Sequence, residues 1–168
     1  MAFDIERIKA GENLNTEFKG EYTEEIKKTI IAFANTEGGT LFIGINDNKS
    51  IAGVENPEET LLQVTNTIRL SIKPDLTLFA ECKIEKAKKA FVIIVNVQRG
   101  TACPYYLAGK GIRPEGVYVR QGASTVPATE TAILNMIKAT DGEIFACFYL
   151  LHVKCHSIFL LANHSNTF

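Results

Sequence analysis

The chain has 168 residues, of which 46% are hydrophobic and 22% are charged, and its formal net charge is -1. This length suits one domain, and the composition is that of an ordinary globular protein, which excludes a disordered or fibrous chain. No apolar run reaches the roughly 18 residues that span a bilayer, and four cysteines without paired spacing favour a reducing compartment, so we expect a soluble, cytoplasmic protein with no membrane partner.

The charges are distributed unevenly along the chain. Residues 1–81 carry 14 acidic and 8 basic side chains, whereas residues 83–120 carry 8 basic and 2 acidic ones. This split is compatible with two arrangements, a basic face for a polyanion beside an acidic site, or two solvated surfaces that differ in sign.

The first third of the chain predicts an edge strand, a helix and a central strand. After an amphipathic lead-in at 1–11, the strand at 14–19 places Glu17 and Lys19 on one face. Helical spacing of apolar residues predicts a buried helix that is capped by Thr23 and ends before the Gly38-Gly39 pair. The segments that follow are a central strand at 41–45, a polar turn at 46–50 and a returning strand at 51–54.

The rest of the chain predicts a second helix, a β-hairpin, a long loop, a strand and a last helix. Asn56-Pro57 opens the second helix, because proline suits the first helical turn, and Pro74 ends it. The predicted inward stripe of this helix is Leu61, Leu62, Thr65, Ile68 and Ile72. The later elements are a strand at 76–84, a basic turn at 86–89, an antiparallel core strand at 91–97, a loop at 99–115, a strand at 117–120 and a helix at 128–139.

This order is not a repeating β-α-β pattern, so we predict an α+β fold with a mixed, mainly antiparallel sheet and about three packed helices. We assign one domain to residues 1–142 and an apolar tail of different composition to 143–168. The tail holds all three histidines, but the spacing of its histidines and cysteines fits no common zinc site. We expect it to form an apolar helix on the body or on a second subunit, or to be a terminus unrelated to function.

Several kinds of chemistry are excluded for the body of the chain. No histidine precedes His152, so residues 1–151 cannot supply a Ser-His-Asp or Cys-His pair, and the Gly38-Gly39 pair matches neither a Walker loop nor a dinucleotide-binding fingerprint. Glu12, Glu17 and Asp47 are candidate ligands for Mg²⁺ or Mn²⁺, with Lys19 beside them to neutralise a phosphate. The commoner alternative is that these are scattered surface carboxylates.

Four runs of residues, together with Gly53, carry a resemblance to a known family. They are Glu12-x4-Glu17-Phe-Lys19, the run Ala32-Phe-Ala-Asn-Thr-Glu-Gly-Gly-Thr-Leu-Phe-Ile-Gly-Ile-Asn-Asp47 with Gly53, and Pro104-Tyr-Tyr-Leu-x-Gly-Lys-Gly111 with Val117-Tyr-Val-Arg120. Together they resemble the Schlafen-type AlbA-like domain, which is also described as a divergent AAA domain and as a DNA-binding domain. The resemblance covers residues 5–140 and stops before the tail.

The resemblance implies a nucleic-acid-binding module, as in bacterial transcriptional regulators, with DNA or structured RNA as the partner. The residues expected to contact phosphates are Lys83, Lys86, Lys88, Lys89, Lys110, Arg113 and Arg120. Tyr105 or Tyr106 would stack on a base, and ordinary packing under the long loop is the alternative for both. For Arg120 the alternative is a structural pair with a neighbouring carboxylate.

The resemblance also implies a second function, that of the Schlafen endoribonucleases, which cleave RNA with a divalent metal and three carboxylates. Glu12, Glu17 and Asp47 match the spacing of those carboxylates, so they are the candidate catalytic and metal-binding residues, with Lys19 beside them. The chain has one copy of the domain where the animal nucleases have two lobes, and a homodimer would replace the missing lobe.

Overall fold

The computed structural model describes residues 5–87 and 89–142, so Lys88 and the predicted tail at 143–168 lie outside the described residues. The helices are α1 (Ile5–Ala10), α2 (Ile26–Asn35), α3 (Pro57–Ser71) and α4 (130–142). The strands are β1 (Thr16–Lys19), β2 (Gly39–Ile43), β3 (Ile72–Lys73), β4 (Ala80–Ala87), β5 (Ala90–Val97), β6 (Tyr106–Leu107), β7 (Tyr118–Gln121) and β8 (Ser124–Pro127).

The central sheet has four strands in the order β1-β2-β5-β4. β1 and β2 are parallel, whereas β2, β5 and β4 pair antiparallel, which confirms the predicted α+β fold with a mainly antiparallel sheet. The strands β3 and β6 form a second, small sheet, and β7 and β8 form a third. Because β1 and β2 run in the same direction, their carboxyl ends meet at one end of the sheet.

The two faces of the sheet are covered by different elements, because successive side chains of a strand point to opposite faces. One face packs under α2 and α3, with Leu41, Ile43 and Val95 in its core. On the other face, Phe18 and Phe42 pack together and join Ile8 of α1, with the Phe18 and Phe42 ring centroids 5.8 Å apart. Burial on both sides explains why β2 and β5 are continuous apolar runs.

The Gly38-Gly39 pair makes the turn from α2 into β2, as predicted. Gly38 has a φ of +79°, and a Cβ added there would lie 2.6 Å from the carbonyl oxygen of Val97. A Cβ added at Gly39 would lie 2.5 Å from the ring of Phe33. Only glycine meets both the backbone angle at Gly38 and this close packing.

The predicted inward stripe of the second helix is wrong at Leu62 and Thr65, and its last position, Ile72, is buried but belongs to β3. Leu62 is 60% exposed and Thr65 is exposed, whereas Val64 and Ile68 are buried. The buried face includes Pro57, Val64 and Ile68, at intervals of seven and four residues, so Leu62 and Thr65 are turned away from the core.

Other boundaries also differ from the predictions. Residues 51–54 form only an isolated bridge, between Ile45 and Ile51, rather than a strand. The strand predicted at 76–84 begins at Ala80, because Asp75 Oδ1 accepts hydrogen bonds from the amide and hydroxyl of Thr77 and starts a 3₁₀ turn at Thr77–Phe79. The helix α2 begins at Ile26 rather than after Thr23, and β8 was not predicted.

Candidate functional site

Glu17 lies on β1 between two cations. Its Oε1 accepts a hydrogen bond from Lys19 Nζ at 2.8 Å, and its Oε2 accepts one from Arg120 Nη1, also at 2.8 Å. Glu17 is 8% exposed and the side chain of Arg120 is fully buried, so the pair with Arg120 is an interior ion pair. Alternation along β1 places Phe18 on the opposite face from Glu17 and Lys19.

Arg120 uses the rest of its guanidinium to hold the start of β1. Its Nη2 donates to the carbonyl of Asn13 at 2.8 Å, its Nε donates to the carbonyl of Leu14 at 3.2 Å, and its Nη1 also donates to Thr125 Oγ1 at 2.8 Å. The guanidinium carbon lies 5.0 Å from the centroid of the Phe33 ring. The structure therefore places Arg120 in an ion pair with a neighbouring carboxylate, where it is not accessible to a phosphate.

Glu12 lies beside the outer edge of β1. Among the described strands of the central sheet, β1 pairs with β2 alone, so the amide of Phe18 needs another acceptor. Glu12 Oε1 accepts that hydrogen bond at 2.9 Å. In this arrangement Glu12 completes the hydrogen bonding of an edge strand.

Asp47 lies in the exposed turn that follows β2. This turn and the end of β1 line an open pocket of about 630 Å³ that contains Lys19, Asp47 and Glu21. Asn46 Nδ2 donates to Ser50 Oγ at 2.9 Å and holds the turn closed. The structure thus brings Lys19 and Asp47 to one pocket, and neither Glu12 nor Glu17 is among its lining residues.

The predicted metal ligands do not form a donor set in this arrangement. Within residues 5–87 and 89–142, no group of three histidine, cysteine, aspartate or glutamate side chains is placed to hold a metal ion. Both oxygens of Glu17 already accept hydrogen bonds from cations, and Glu12 Oε1 accepts one from a backbone amide. The metal-binding and catalytic roles of the three carboxylates stay a prediction.

The predicted phosphate-binding lysines of the hairpin differ in exposure. Lys83 on β4 donates to Glu85 Oε1 at 2.6 Å, and this hydrogen bond raises the pKa of Lys83. Lys86, near the end of β4, and Lys89, in the turn into β5, are both exposed. The hairpin therefore presents two exposed lysines within the part of it that is described.

Lys110 and Arg113 lie on the loop at 108–116 and are also exposed. This loop begins at a fixed position, because the amide of Ala108 donates to the carbonyl of Ser71, the last residue of α3, at 2.9 Å. The strand β6, which directly precedes the loop, pairs antiparallel with β3. The loop cations are thus carried on a segment whose base is held by backbone hydrogen bonds.

The two predicted stacking tyrosines differ in burial. Tyr105 is fully buried, its ring fills the position that a side chain at Gly100 would occupy, and burial raises the pKa of its phenol. Asn35 fixes its backbone, donating from Nδ2 to the Tyr105 carbonyl at 2.9 Å and accepting from the Tyr105 amide at 2.7 Å. Tyr106 is half-buried against the small cluster of Val117, Ala128 and Ile133. Burial therefore keeps the Tyr105 ring from stacking on a base, and stacking by Tyr106 stays a prediction.

Two further lysines, which the sequence did not single out, lie near the loop. Lys27 and Lys28 of α2 line the same open groove as Lys110. Their signal in the sequence is a lysine pair next to Ile26 in the first turn of a helix whose other described residues are mostly buried. That pattern marks a solvent-facing side but does not reveal which distant segment lies across from it.

Comparison with known proteins supports the family resemblance. A family model described as "Schlafen, AlbA_2" matches residues 12–129. One similar structure is the N-terminal domain of a Nitrosomonas europaea protein that is described as related to the ATP-dependent DNA helicase RecG. It is 23% identical to this chain, with a TM-score of 0.51, and the alignment covers 71% of this chain and 87% of that domain. The DIP2311 protein from Corynebacterium diphtheriae is 18% identical with a TM-score of 0.54, over 68% of this chain and 22% of that one. At these identities the two structures show a common fold.

Proposed function

The chain belongs to the Schlafen AlbA_2 family, and from this premise we propose that it is a nucleic-acid-binding module, the DNA-binding part of a transcriptional regulator. The family is associated with nucleic acids, and one structural neighbour is described as related to a DNA helicase. The proposed module binds the phosphate backbone through exposed basic side chains.

The observation that carries this proposal is the placement of the predicted cations. Lys86, Lys89, Lys110 and Arg113 are all exposed, on a hairpin and on a loop. They belong to the segment 83–120 that has 8 basic and 2 acidic residues. Exposed lysine and arginine side chains bind phosphates by charge, and this binding carries no sequence information of its own.

Because Tyr105 is fully buried and Tyr106 is half-buried, we expect contacts to the phosphate backbone to dominate binding, and binding therefore to depend steeply on salt. The logarithm of the binding constant for duplex DNA falls with the logarithm of the salt concentration by about 0.9 for each neutralised phosphate. Fluorescence anisotropy with labelled duplex DNA, single-stranded DNA and structured RNA measures this slope and ranks the three partners.

The double variant Lys86→Gln/Lys89→Gln tests the hairpin. We expect weaker binding to duplex DNA and a salt slope that is less steep by roughly 2, because two phosphate contacts are lost. The matched control is Lys9→Gln/Lys138→Gln, which removes the same charge from two exposed lysines that lie on neither the hairpin nor the loop. An equal loss of affinity in both variants would show a general effect of net charge and would contradict the assignment of the hairpin.

The endoribonuclease function is not favoured by any contact among the described residues, since Glu17 is held by Lys19 and Arg120. It stays a prediction, and incubation with structured RNA and Mn²⁺ tests it. Asp47→Asn is a better control than Glu17→Gln, because Asp47 is exposed whereas Glu17 is part of a buried ion pair. Cleavage that Asp47→Asn abolishes, with RNA binding retained, would establish the nuclease and replace our proposal.

A further inference from the structure

A groove of about 600 Å³ lies between α2, the end of α3 and the loop at 108–116. Lys27 and Lys28 line it from α2, and Lys110 lines it from the loop. Tyr118 and Glu115 also line it, so the groove has three cations and one anion. Its walls come from segments that are far apart in the sequence.

The floor of the groove is held by tertiary contacts. Tyr118 is 9% exposed, its hydroxyl donates to the carbonyl of Glu115 at 3.2 Å, and its own carbonyl accepts from Asn35 Nδ2 at 3.0 Å. Lys28 Nζ lies 5.8 Å from the centroid of the Tyr118 ring. Lys28 is therefore positioned over the ring of Tyr118, a residue whose backbone is hydrogen-bonded to Asn35 at the end of α2.

The loop wall is also held in place. The amide of Ala108 donates a hydrogen bond to the carbonyl of Ser71. The amides of Lys110 and Gly111 both donate to the carbonyl of Leu107, at 2.9 and 3.0 Å. These backbone contacts define a tight turn that carries Lys110. A pre-formed wall lowers the entropy that is lost when a ligand binds.

The two α2 lysines are available to a ligand even though each contacts a glutamate. Lys27 Nζ lies 2.7 Å from Glu24 Oε2, and Lys28 pairs with Glu25, which raises the pKa of Lys28 and keeps it cationic. The side chains of Glu24 and Glu25 are 65% and 63% exposed. Ion pairs with exposed carboxylates are weak because solvent screens them, so a phosphate competes with the carboxylate at small cost.

We propose that this groove binds consecutive phosphates of a nucleic-acid strand through Lys27, Lys28 and Lys110, with the Tyr118 ring as its floor. The inference rests on the proposed function and extends it, since Lys27 and Lys28 belong to the acidic first half of the chain and not to the basic segment. It assigns phosphate binding to α2, on the layer that covers the sheet, in addition to the hairpin.

The test uses the full chain and the double variant Lys27→Gln/Lys28→Gln. Labelled single-stranded DNA, single-stranded RNA and duplex DNA are titrated with the protein by anisotropy at several salt concentrations. We expect affinity for the preferred strand to fall at least about tenfold and the salt slope to become less steep by roughly 1.4–1.8, the value for two phosphates. Lys110→Glu, on the opposite wall, should weaken binding in the same direction.

The matched control is Lys9→Gln/Lys138→Gln. Lys9 is also in an exposed pair three residues from a glutamate, with Glu6, but it lies on α1, which packs on the other face of the sheet. The control removes the same charge from two exposed lysines that do not line the groove, and it should leave affinity within about twofold of wild type. Thermal unfolding of each variant verifies that it is folded.

The outcomes separate the two proposals. Wild-type binding that the groove variant leaves unchanged, or an equal loss in the control, overturns the groove and leaves the proposed function standing. Absence of wild-type binding to all three probes overturns both. A mononucleotide that displaces the labelled strand at equal molar concentration would show a small-ligand pocket, and the assignment to a strand would be wrong.

Discussion

At the scale of single residues, Arg120 makes most of the side-chain contacts that hold Glu17 and the start of β1 in place. Its buried guanidinium makes one ion pair, two hydrogen bonds to backbone carbonyls and one to Thr125, and it joins β7 and β8 to the start of β1. Interior ion pairs of this kind are costly to break, because the partner that remains is a buried charge. Glu17 therefore has a structural role in this arrangement.

Replacement of Arg120 by methionine, which keeps much of the volume, should destabilise the protein by about 3–5 kcal/mol. Urea unfolding monitored by circular dichroism measures this loss. The control is Lys19→Gln, which removes the other cation on Glu17 from a side chain that is 32% exposed and should cost less than about 1 kcal/mol. Equal stability of the two variants would show that the Arg120 contacts contribute little.

At the scale of elements, the turn between α2 and β2 decides how the central strand enters the sheet. Gly38 needs a positive φ, and the space beside it is taken by the backbone of the β5 end at Val97. Gly39 lies against the ring of Phe33 on α2. The pair thus allows helix, turn and sheet to approach more closely than any side chain would permit.

Gly38→Ala should cost more than Gly122→Ala. Both glycines have a positive φ, so both variants lose roughly 1–2 kcal/mol from the left-handed backbone conformation. At Gly38 the new Cβ would also meet a backbone oxygen, at 2.6 Å, whereas no atom of the described residues lies within 4 Å of a Cβ at Gly122. Chemical denaturation of the two variants isolates the steric contribution, and equal losses would contradict it.

At the scale of the whole molecule, the exposed predicted cations lie on the hairpin and on the 108–116 loop, and the carboxylates are distributed over separate contacts. None of the helices in residues 5–87 and 89–142 is long and apolar enough to cross a membrane. The same part of the chain has no group of three carboxylate, histidine or cysteine side chains that is placed for a metal.

Removal of divalent metal should leave nucleic-acid binding unchanged, because the proposed contacts are made by cationic side chains. Anisotropy titrations with 1 mM EDTA and with Mg²⁺ at matched ionic strength compare the two conditions directly, since salt alone weakens binding. Binding that is lost in EDTA and restored by Mg²⁺ would contradict this expectation and would favour a metal site at Glu12, Glu17 and Asp47.

The sequence alone determined the α+β class, the glycine turn, the β4–β5 hairpin and the family, because these depend on periodicity and on residues that are close along the chain. It did not determine the register of α3, where Leu61 and Leu62 are equivalent by composition and only packing selects between them.

Tertiary structure decided which predicted site residues are available. Glu17 and Arg120 are 103 positions apart, so their pairing has no local signal. No local signal shows that Tyr105 is buried with its carbonyl hydrogen-bonded to Asn35, 70 positions away. Nor does one show that Lys27 and Lys28 line the same groove as Lys110. Charge and residue type are properties of the sequence, whereas burial and partner depend on contacts that only the folded chain brings together.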